Sequence, residues 1–297
     1  MMTTEPSDQH LPAGISARAL NDGDLAAALR LSTEAGWNQN AEDWRIFLDL
    51  GSAVGLVDGG GRLIATAATL PHAGRFAWIS MVLVTRAQQR QGLARWLLRD
   101  CIERLTRHRL VPVLDATPAG RGVYLGLGFH DAWGMRRLVC RAQQAPRPQA
   151  PADGLTVRRL DTADWPQIIA YDAAIFGADR GVLLRRLAER LPQAALIAER
   201  HGRVAGFLLG RDGRAMNQLG PLAAESDQAA RALLAHALDA VAFRLAVDVP
   251  DRHATLGEWL QTLGFAAERP LTRMVHGTSA AFDDPARLFA IAGPELG

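Results

Sequence analysis

The chain has 297 residues, of which 48% are apolar, so it is long enough for about two domains and is not globally disordered. Its formal net charge of +2 is too close to neutral to indicate a nucleic-acid-binding protein by charge alone. The N-terminal sequence lacks the features of a signal peptide, and no stretch reaches the roughly 18 apolar residues of a membrane span. Two cysteines, Cys101 and Cys140, are too few for a disulfide framework. We therefore expect a cytoplasmic protein that binds neither nucleic acid nor a membrane.

All 33 basic residues are arginine, because the sequence contains no lysine. This excludes a lysine Schiff base and a lysine-bearing Walker loop. An anion site would have to use backbone N–H groups, arginine or histidine.

Residues 1–14 are predicted to form a flexible arm, and residues 15–142 to form the first domain. Its predicted elements are two helices in DGDLAAALRLSTEA and AEDWRIFLDLG, a hairpin in SAVGLVDGGGRLIATAATL, a strand in RFAWISMVLV, a helix from about Gly92 to His108, a strand in LVPVLDAT, a short helix in GRGVYLGLG and final strands in FHDAWGMRRLVCRA. Such an order is typical of an α/β fold with a mixed sheet.

Residues 143–154 are rich in Pro, Gln and Ala and are predicted to be a linker. Residues 155–278 repeat the order of elements of the first half, with helices, a hairpin, a longer helix, a strand and a short helix. Residues 279–297 are predicted to be a weakly ordered tail, apart from a short helix around Pro285 to Ile291.

Two landmarks recur at one spacing in the two halves. Leu97-Leu98 and Leu233-Leu234 lie 136 positions apart, and so do Leu127-Gly128-Phe129 and Leu263-Gly264-Phe265. Agreement between two independent landmarks predicts a duplicated domain.

The most informative stretch is the strand-to-helix turn Gln89-Arg90-Gln91-Gly92-Leu93-Ala94. The start of a helix leaves about four backbone N–H groups without partners and carries the positive end of the helix dipole. A glycine turn that points these groups at one place can hold a phosphate. Arg90 and Arg95 can add charge-assisted hydrogen bonds. A single glycine at such a turn also has a purely structural explanation, and the loop alone leaves both open.

Residues 81–105 resemble the coenzyme A loop of the GCN5-related N-acetyltransferase (GNAT) family. The family pattern is Gln or Arg, two residues, Gly, one residue, and Gly or Ala, and Gln89, Gly92 and Ala94 fill these places. The preceding VLV is similar to the family's fourth strand. Arg86 departs from the pattern, since the family often has proline there, and we expect it to loosen the turn.

The resemblance extends beyond the loop. Tyr124, Gly128 and Phe129 are similar to the family's Tyr-x-x-x-Gly-Phe ending, and the order of elements over residues 15–142 matches throughout. The resemblance implies two tandem GNAT-like domains, with acetyl-coenzyme A as co-substrate and no metal. It also implies that the fourth and fifth strands splay apart and that pantetheine lies between them. The residues that it implies bind the cofactor are Val82, Leu83, Val84, Gln89, Arg90, Gln91, Gly92, Leu93, Ala94, Arg95 and Thr117.

The chemistry implied by the resemblance is direct attack of an amine on the acetyl thioester. Tyr124 is the candidate acid that protonates the departing thiolate. An N–H group near Val82 or Leu83 is expected to stabilise the oxyanion. The base is harder to assign, because residues 76–84 include no Asp or Glu. Asp115 is our candidate, and the alternatives are His72, His130 or a water relay.

The second half lacks the chemistry of the loop. The spacing of 136 aligns Gly92 with Gln228, Gln89 with Glu225 and Tyr124 with Leu260. Glu225 and Asp227 would repel a diphosphate, and Ser226 is typical of an ordinary helix cap. We therefore expect a degenerate second copy that does not bind coenzyme A in the usual way.

The arrangement resembles tandem GNAT proteins in which a degenerate copy helps to shape the acceptor pocket. Our candidate acceptor-binding residues are Trp37, Asn38, Ser80, Asp172 and Asp248. The leading hypothesis is acetyl transfer to a primary amine of a small-molecule or amino-acid-like acceptor. The alternatives are an acyl-coenzyme A sensor or scaffold with little turnover, and a protein or peptide acetyltransferase. Monomer and homodimer both remain open.

Overall fold

The computed structural model describes residues 11–141, 154–278 and 282–297. The predicted linker, apart from Gly154, and most of the predicted N-terminal arm lie outside these ranges. The elements of the first half are β1 (Ser16–Ala19), α1 (Leu25–Glu34), α2 (Ala41–Leu50), β2 (Ser52–Val57), β3 (Leu63–His72), β4 (Phe76–Val84), α3 (Leu93–Arg107), β5 (Val111–Ala116), α4 (Pro118–Leu125) and β6 (Phe129–Cys140).

The second half repeats this order with small differences. Its elements are β7 (Leu155–Arg159), α5 (Trp165–Phe176), α6 (Gly181–Arg190), β8 (Leu196–Arg200), β9 (Arg203–Arg211), β10 (Asn217–Ala224), α7 (Asp227–Ala240), β11 (Leu245–Pro250), α8 (Ala254–Thr262), β12 (Ala266–His276) and β13 (Leu288–Ala290). The predicted α/β fold with a mixed sheet is confirmed, and α4 and α8 begin 136 positions apart, as the landmarks require.

The two halves share one sheet because they exchange their last long strands. The strand order is β1-β2-β3-β4-β5-β12-β6-β11-β10-β9-β8-β7, with β13 paired to β10. β12 of the second half lies beside β5 of the first, and β6 of the first half lies beside β11 of the second. Neither half completes its own sheet, so the exchange fixes the position of one half against the other.

Strands β4 and β5 diverge after a short parallel pairing. Only Phe76 to Trp78 of β4 pair with Val111 to Val113 of β5. Beyond this point, β4 contains an irregularity opposite β3, and Met81 has a φ of 54°. A bulge of this kind bends a strand and changes the direction of its side chains. The result is an open gap between the C-terminal parts of β4 and β5.

Strands β10 and β11 also pair over only three residues, but the gap that follows is filled. β13 pairs with β10 at Leu222 and Ala223, and the N–H of Ile291 donates to the carbonyl of Asp248 on β11 at 3.1 Å. The predicted helix around Pro285 to Ile291 is therefore wrong. The predicted weakly ordered tail is instead packed into the fold over residues 282–297, where Ile291 and Leu296 are fully buried.

The helices cover both faces of the sheet. The apolar face of α3 packs on β3, β4 and β5 through Leu93, Leu97 and Cys101, and this contact holds the start of α3 beside the open gap. Among the residues described, no helix has the length and hydropathy needed to cross a membrane.

Candidate active site

The start of α3 has the form expected of an anion site. Gly92 adopts the left-handed conformation, with φ 82°, and no side chain caps the helix. Leu93, Ala94 and Arg95 follow as its first residues, so their N–H groups precede any intrahelical partner. A Cβ added to Gly92 would meet no atom within 4 Å, which means that the turn faces open space. The backbone therefore offers several N–H groups and the positive helix end to one point.

The turn before this helix is tethered rather than loose, which corrects our expectation for Arg86. The N–H of Arg86 donates to Glu34 Oε1 at 2.8 Å, and its guanidinium donates to the carbonyl of Glu34 at 3.1 Å. Thr85 also donates to the Glu34 carboxylate. These bonds hold the turn without the proline that is often found in the family.

A groove of about 630 Å³ runs from this turn along β4 to α4. Eight of the predicted cofactor residues line it, namely Val82, Val84, Gln89, Arg90, Gly92, Leu93, Ala94 and Arg95. Three predicted residues do not. The side chain of Leu83 is buried in the core, Gln91 donates to Gln88 on the loop surface, and Thr117 caps α4 and lines a neighbouring cavity. Leu83 is thereby limited to backbone contacts with a ligand in the groove.

A second cavity, of about 200 Å³, meets the groove at Val82, which lines both. Both halves of the chain contribute to it. The lining residues are Trp37, Asn38, Gln39, Ile79, Ser80, Met81, Val82, Leu114, Asp115, Thr117, Tyr124 and Arg137 from the first half, and Arg269, Leu271, Pro294 and Glu295 from the second. The groove and the cavity together lead from the start of α3 to a space that both halves line.

Tyr124 lines this second cavity, and Val123 beside it lines the groove. The hydroxyl of Tyr124 makes no hydrogen bond to any described residue, and burial raises the pKa of Tyr124 above its ordinary value. A Cβ on Gly120 would lie 3.1 Å from this hydroxyl and 2.8 Å from the ring, so glycine at that position gives the ring its room. Tyr124 is therefore protonated at neutral pH and available to donate into the cavity.

Asp115 does not have the environment of a base. It lies opposite Arg273 of β12, whose Nε and Nη2 each donate to one of its carboxylate oxygens at 2.9 Å. Both side chains are fully buried, and Asp283 also binds Arg273. Burial raises the pKa of Asp115, against the opposing effect of Arg273. The structure thus corrects our assignment, because Asp115 lines the cavity but both of its carboxylate oxygens are engaged by Arg273, which ties β5 to the exchanged strand β12.

The two alternative histidines lie outside the cavity. His72 is 3% exposed and packs against the rings of Phe76, Trp78 and Phe176, and burial lowers the pKa of His72 to about 3. His130 is exposed and lines a different cavity. Of the candidate bases considered from the sequence, the water relay is the one that remains compatible with this geometry.

The structure also corrects the roles expected of Asp172 and Asp248. Asp172 receives two hydrogen bonds from Arg180, at 2.8 and 3.0 Å, and Asp248 receives two from Arg137, at 2.8 and 2.7 Å. Both carboxylates are buried, and neither lines the cavity. Their charges are already neutralised, so neither is available to a cationic amine.

Trp37, Asn38 and Ser80 all line the cavity, as expected of acceptor-binding residues. The side chain of Asn38 is fully engaged, because it accepts from the N–H groups of Ala215 and Met216 and donates to the carbonyl of Met216. It therefore joins the two halves. Ser80, by contrast, is 8% exposed and its hydroxyl has no partner.

Four polar residues of the cavity were not identified from the sequence: Gln39, Arg137, Arg269 and Glu295. Gln39 donates to Glu295 at 2.8 Å, and Arg211 also binds the Glu295 carboxylate. Burial opposes ionisation of Glu295, but Arg211 and Gln39 outweigh it and hold its pKa below the ordinary value. Glu295 lies in the segment expected to be a tail, so no motif drew attention to it. No group of residues suited to a metal ion occurs in the part of the chain described.

Comparison with known proteins agrees with this geometry. A model of the acetyltransferase (GNAT) family matches residues 12–129, and a model of an acetyltransferase (GNAT) domain matches residues 168–290. The chain belongs to the GNAT acetyltransferases, and it is an acyltransferase of the N-acetyltransferase type. More specifically, it is a tandem protein with two GNAT domains, as predicted.

Relatives of similar length have the same arrangement. The chain is 27% identical over 247 residues to YitH, an uncharacterized N-acetyltransferase of Bacillus subtilis (strain 168), covering 83% of this chain and 86% of that protein. It superposes on the crystal structure of a protein from Pyrococcus horikoshii that was proposed to be an acetyltransferase, with a TM-score of 0.79, 19% identity and coverage of 99% and 100%. A tandem GNAT protein from the clavulanic acid biosynthesis pathway gives a TM-score of 0.64, 14% identity and coverage of 90% and 100%.

Proposed function

We propose that the protein transfers an acetyl group from acetyl-coenzyme A to a primary amine of a small-molecule or amino-acid-like acceptor. The observation that carries the proposal is the junction of the groove and the cavity at Val82, with an uncapped helix start along the groove and Tyr124 lining the cavity. Acetyl transfer requires the diphosphate, the thioester and the amine to bind in this order along one connected space.

The residues of the groove suit the cofactor. The N–H groups at the start of α3 can bind a diphosphate, and Arg90 and Arg95 can add charge-assisted bonds at its edge. Residues 79–84 of β4 have no partner strand on the β5 side, so backbone groups that point into the gap are available to an amide-containing arm. Backbone N–H groups near Val82 would also stabilise a developing oxyanion.

Proton transfer is assigned to Tyr124 and water. As the amine bonds to the acetyl carbon and the carbon–sulfur bond breaks, Tyr124 gives its proton to the thiolate. The carboxylates of Asp115 and Glu295 are each engaged by an arginine, so neither is free to take a proton from the ammonium. We therefore assign removal of the ammonium proton to a water molecule in the cavity.

The size of the cavity supports a small acceptor. Its volume of about 200 Å³ is below the roughly 300–1,000 Å³ of pockets for drug-sized ligands. The second half closes it through Arg269, Leu271, Pro294 and Glu295, which argues against an open groove for a protein or peptide. Catalysis is assigned to the first half alone, and the second half is proposed to be a degenerate copy that shapes the cavity. We further propose a cytoplasmic location, supported by two buried cysteines that form no disulfide.

A thiol-release assay tests the proposal. Purified protein is mixed with acetyl-coenzyme A and a broad panel of amines, and free thiol is measured over time beside calorimetric binding of acetyl-coenzyme A. Acetyl transfer predicts saturable thiol release with at least one amine. Tight cofactor binding with no release from any amine would instead support the acyl-coenzyme A sensor.

A further inference from the structure

Three buried polar atoms at the cavity have no hydrogen-bond partner among the described residues. They are Ser80 Oγ, Gln39 Oε1 and Arg269 Nε. Buried polar atoms are nearly always paired, and an unpaired one costs free energy. Three such atoms around one small space indicate that a polar ligand completes their bonding.

Arg269 is the most unusual of these three residues, because another arginine lies directly opposite it on the neighbouring strand. Arg269 on β12 pairs in register with Arg137 on β6, and cross-strand pairs of like charge are destabilising. Arg137 is compensated by Asp248 and by Gln218, whereas Arg269 makes no ion pair or side-chain hydrogen bond within the described ranges. Burial and the nearby Arg137 lower the pKa of Arg269 from its ordinary value.

The other charged residues of the cavity are already neutralised. Asp115 is bound to Arg273, Arg137 to Asp248, and Glu295 to Arg211. Arg269 is therefore the lining charge that makes no direct ion pair in the part of the chain described, although Asp248, Glu268 and Glu295 act on it at longer range. A guanidinium in this position has two or more N–H donors for one oxyanion, which it can bind in a bidentate manner.

Ser80 and Gln39 supply hydrogen-bond acceptors to the same cavity. Ser80 lies two residues before Val82, where the cavity meets the groove, so its hydroxyl can accept from an amine placed at the reacting carbon. Gln39 Oε1 is a second acceptor, held in place because Gln39 Nε2 donates to Glu295. The cavity thus offers hydrogen-bond acceptors to an amine, and it offers the guanidinium of Arg269 to a second, anionic group.

We propose that the acceptor is an amine that also carries an oxyanion, either a carboxylate or a phosphate, which Arg269 binds while Ser80 orients the amine. This deepens, and rests on, the proposed acetyl transfer. The acceptor is thereby an amino acid or an aminoalkyl phosphate, and its anion relieves the unpaired charge beside Arg137.

Matched pairs of acceptors test the proposal. Amino acids are compared with amines of the same skeleton that lack the carboxylate, and aminoalkyl phosphates with the corresponding amino alcohols. A charge-assisted bond contributes a preference of about 10- to 100-fold in kcat/KM for the anionic member of at least one set. Arg269→Met removes this preference. Arg136→Met, which changes an exposed arginine on the same strand as Arg137, leaves the preference intact.

Binding measurements separate this inference from the proposed function. Calorimetry with coenzyme A present compares the same acceptor pairs on wild type, Arg269→Met and Arg269→Lys, with thermal melting as a check of folding. Preferential binding of the anionic amines that Arg269→Met abolishes and Arg269→Lys partly restores supports the inference even if no thiol is released, a result that would sink only the acetyl transfer. Turnover of amines with no anionic preference, or a preference that survives Arg269→Met, overturns the inference and leaves acetyl transfer standing.

Discussion

The starts of α3 and α7 occupy equivalent places in the two halves but differ in how their N–H groups are satisfied. At α3, Gly92 in a left-handed conformation leaves the helix start uncapped and exposed. At α7, Ser226 accepts from the N–H of Ala229 at 3.3 Å, as predicted for a helix cap. Glu225 and Gln228 are held by Arg200. At the start of α7, polar groups of the same chain therefore make hydrogen bonds with each other rather than with a ligand.

The gaps between the strands also differ between the two halves, and again only the first half is open to a ligand. The space between β4 and β5 is open to both the groove and the cavity, whereas β13 fills the space between β10 and β11. Loss of a ligand site in a duplicated fold thus needs two local changes, a capped helix start and a filled gap. Neither change disturbs the sheet or the cores, which is why the fold persists in the copy that we propose to be degenerate.

The largest expected effect comes from placing a charge at the uncapped helix start. Gly92→Glu should weaken acetyl-coenzyme A binding by more than about 1,000-fold, measured by calorimetry. A non-glycine residue at positive φ costs about 1–2 kcal/mol, and a carboxylate about 4 Å from a phosphate adds about 4 kcal/mol at an effective dielectric of 20.

The matched control makes the same change of charge in the second half. Gln228→Glu keeps an oxygen for Arg200 to bind and should leave affinity within about twofold. Comparable losses in both variants would show that the two helix starts are not functionally different. Gly92→Ala separates backbone strain from charge and should fall between the two.

A second way to sharpen the comparison is to weaken the strand that fills the second gap. Leu288 on β13 is 1% exposed and belongs to a core cluster with Phe207 and Ile291. Leu288→Ala should lower the free energy of unfolding by about 2–5 kcal/mol in a denaturant titration. Acetyl-coenzyme A should still bind with one site per chain. A second bound cofactor in this variant would mean that β13 alone blocks the second half.

Removal of the Tyr124 hydroxyl tests the chemistry of the open gap. Tyr124→Phe should lower kcat about 100-fold and leave the Kd of acetyl-coenzyme A unchanged, because the hydroxyl is needed only when the thiolate departs. Since burial raises the pKa of Tyr124, its ionisation should not reduce the wild-type rate below about pH 10. Equal kcat values for the two proteins would exclude Tyr124 as the acid.

The smallest effect is expected at the cap of the second helix. Ser226→Ala removes the bond to Ala229 and should lower the free energy of unfolding by about 1 kcal/mol, with no change in cofactor affinity. Urea titration and calorimetry on the same preparation give both values. A gain of cofactor binding in this variant would indicate that the cap is what keeps a second site closed.

Local patterns in the sequence were sufficient for much of the fold and for the groove beside α3. The hairpins, α3, its glycine turn and the Ser226 cap each depend on residues within one or two turns of chain, where spacing reports structure directly. The resemblance to the GNAT family then predicted eight residues that the structure brings together along one groove. Tyr124, Trp37 and Ser80 were placed at the cavity for the same reason.

The remainder depends on contacts between distant segments, which periodicity does not report. β6 and β12 have patterns compatible with pairing in either half, so the exchange of strands could not be recognised. β13 has three residues and is stabilised by β10, and the same apolar run also suits a short helix. Asp115 and Asp248 were misjudged because their partners, Arg273 and Arg137, come from the other half through that exchange.

The most direct test is a crystal structure of the protein with acetyl-coenzyme A. The account predicts one cofactor per chain, with its diphosphate on the N–H groups that follow Gly92 and its arm between β4 and β5. The gap between β10 and β11 should remain filled by Leu288–Ala290. A diphosphate bound at the start of α7, or a cofactor that avoids the β4–β5 gap, would contradict the assignment of the first half as the active copy.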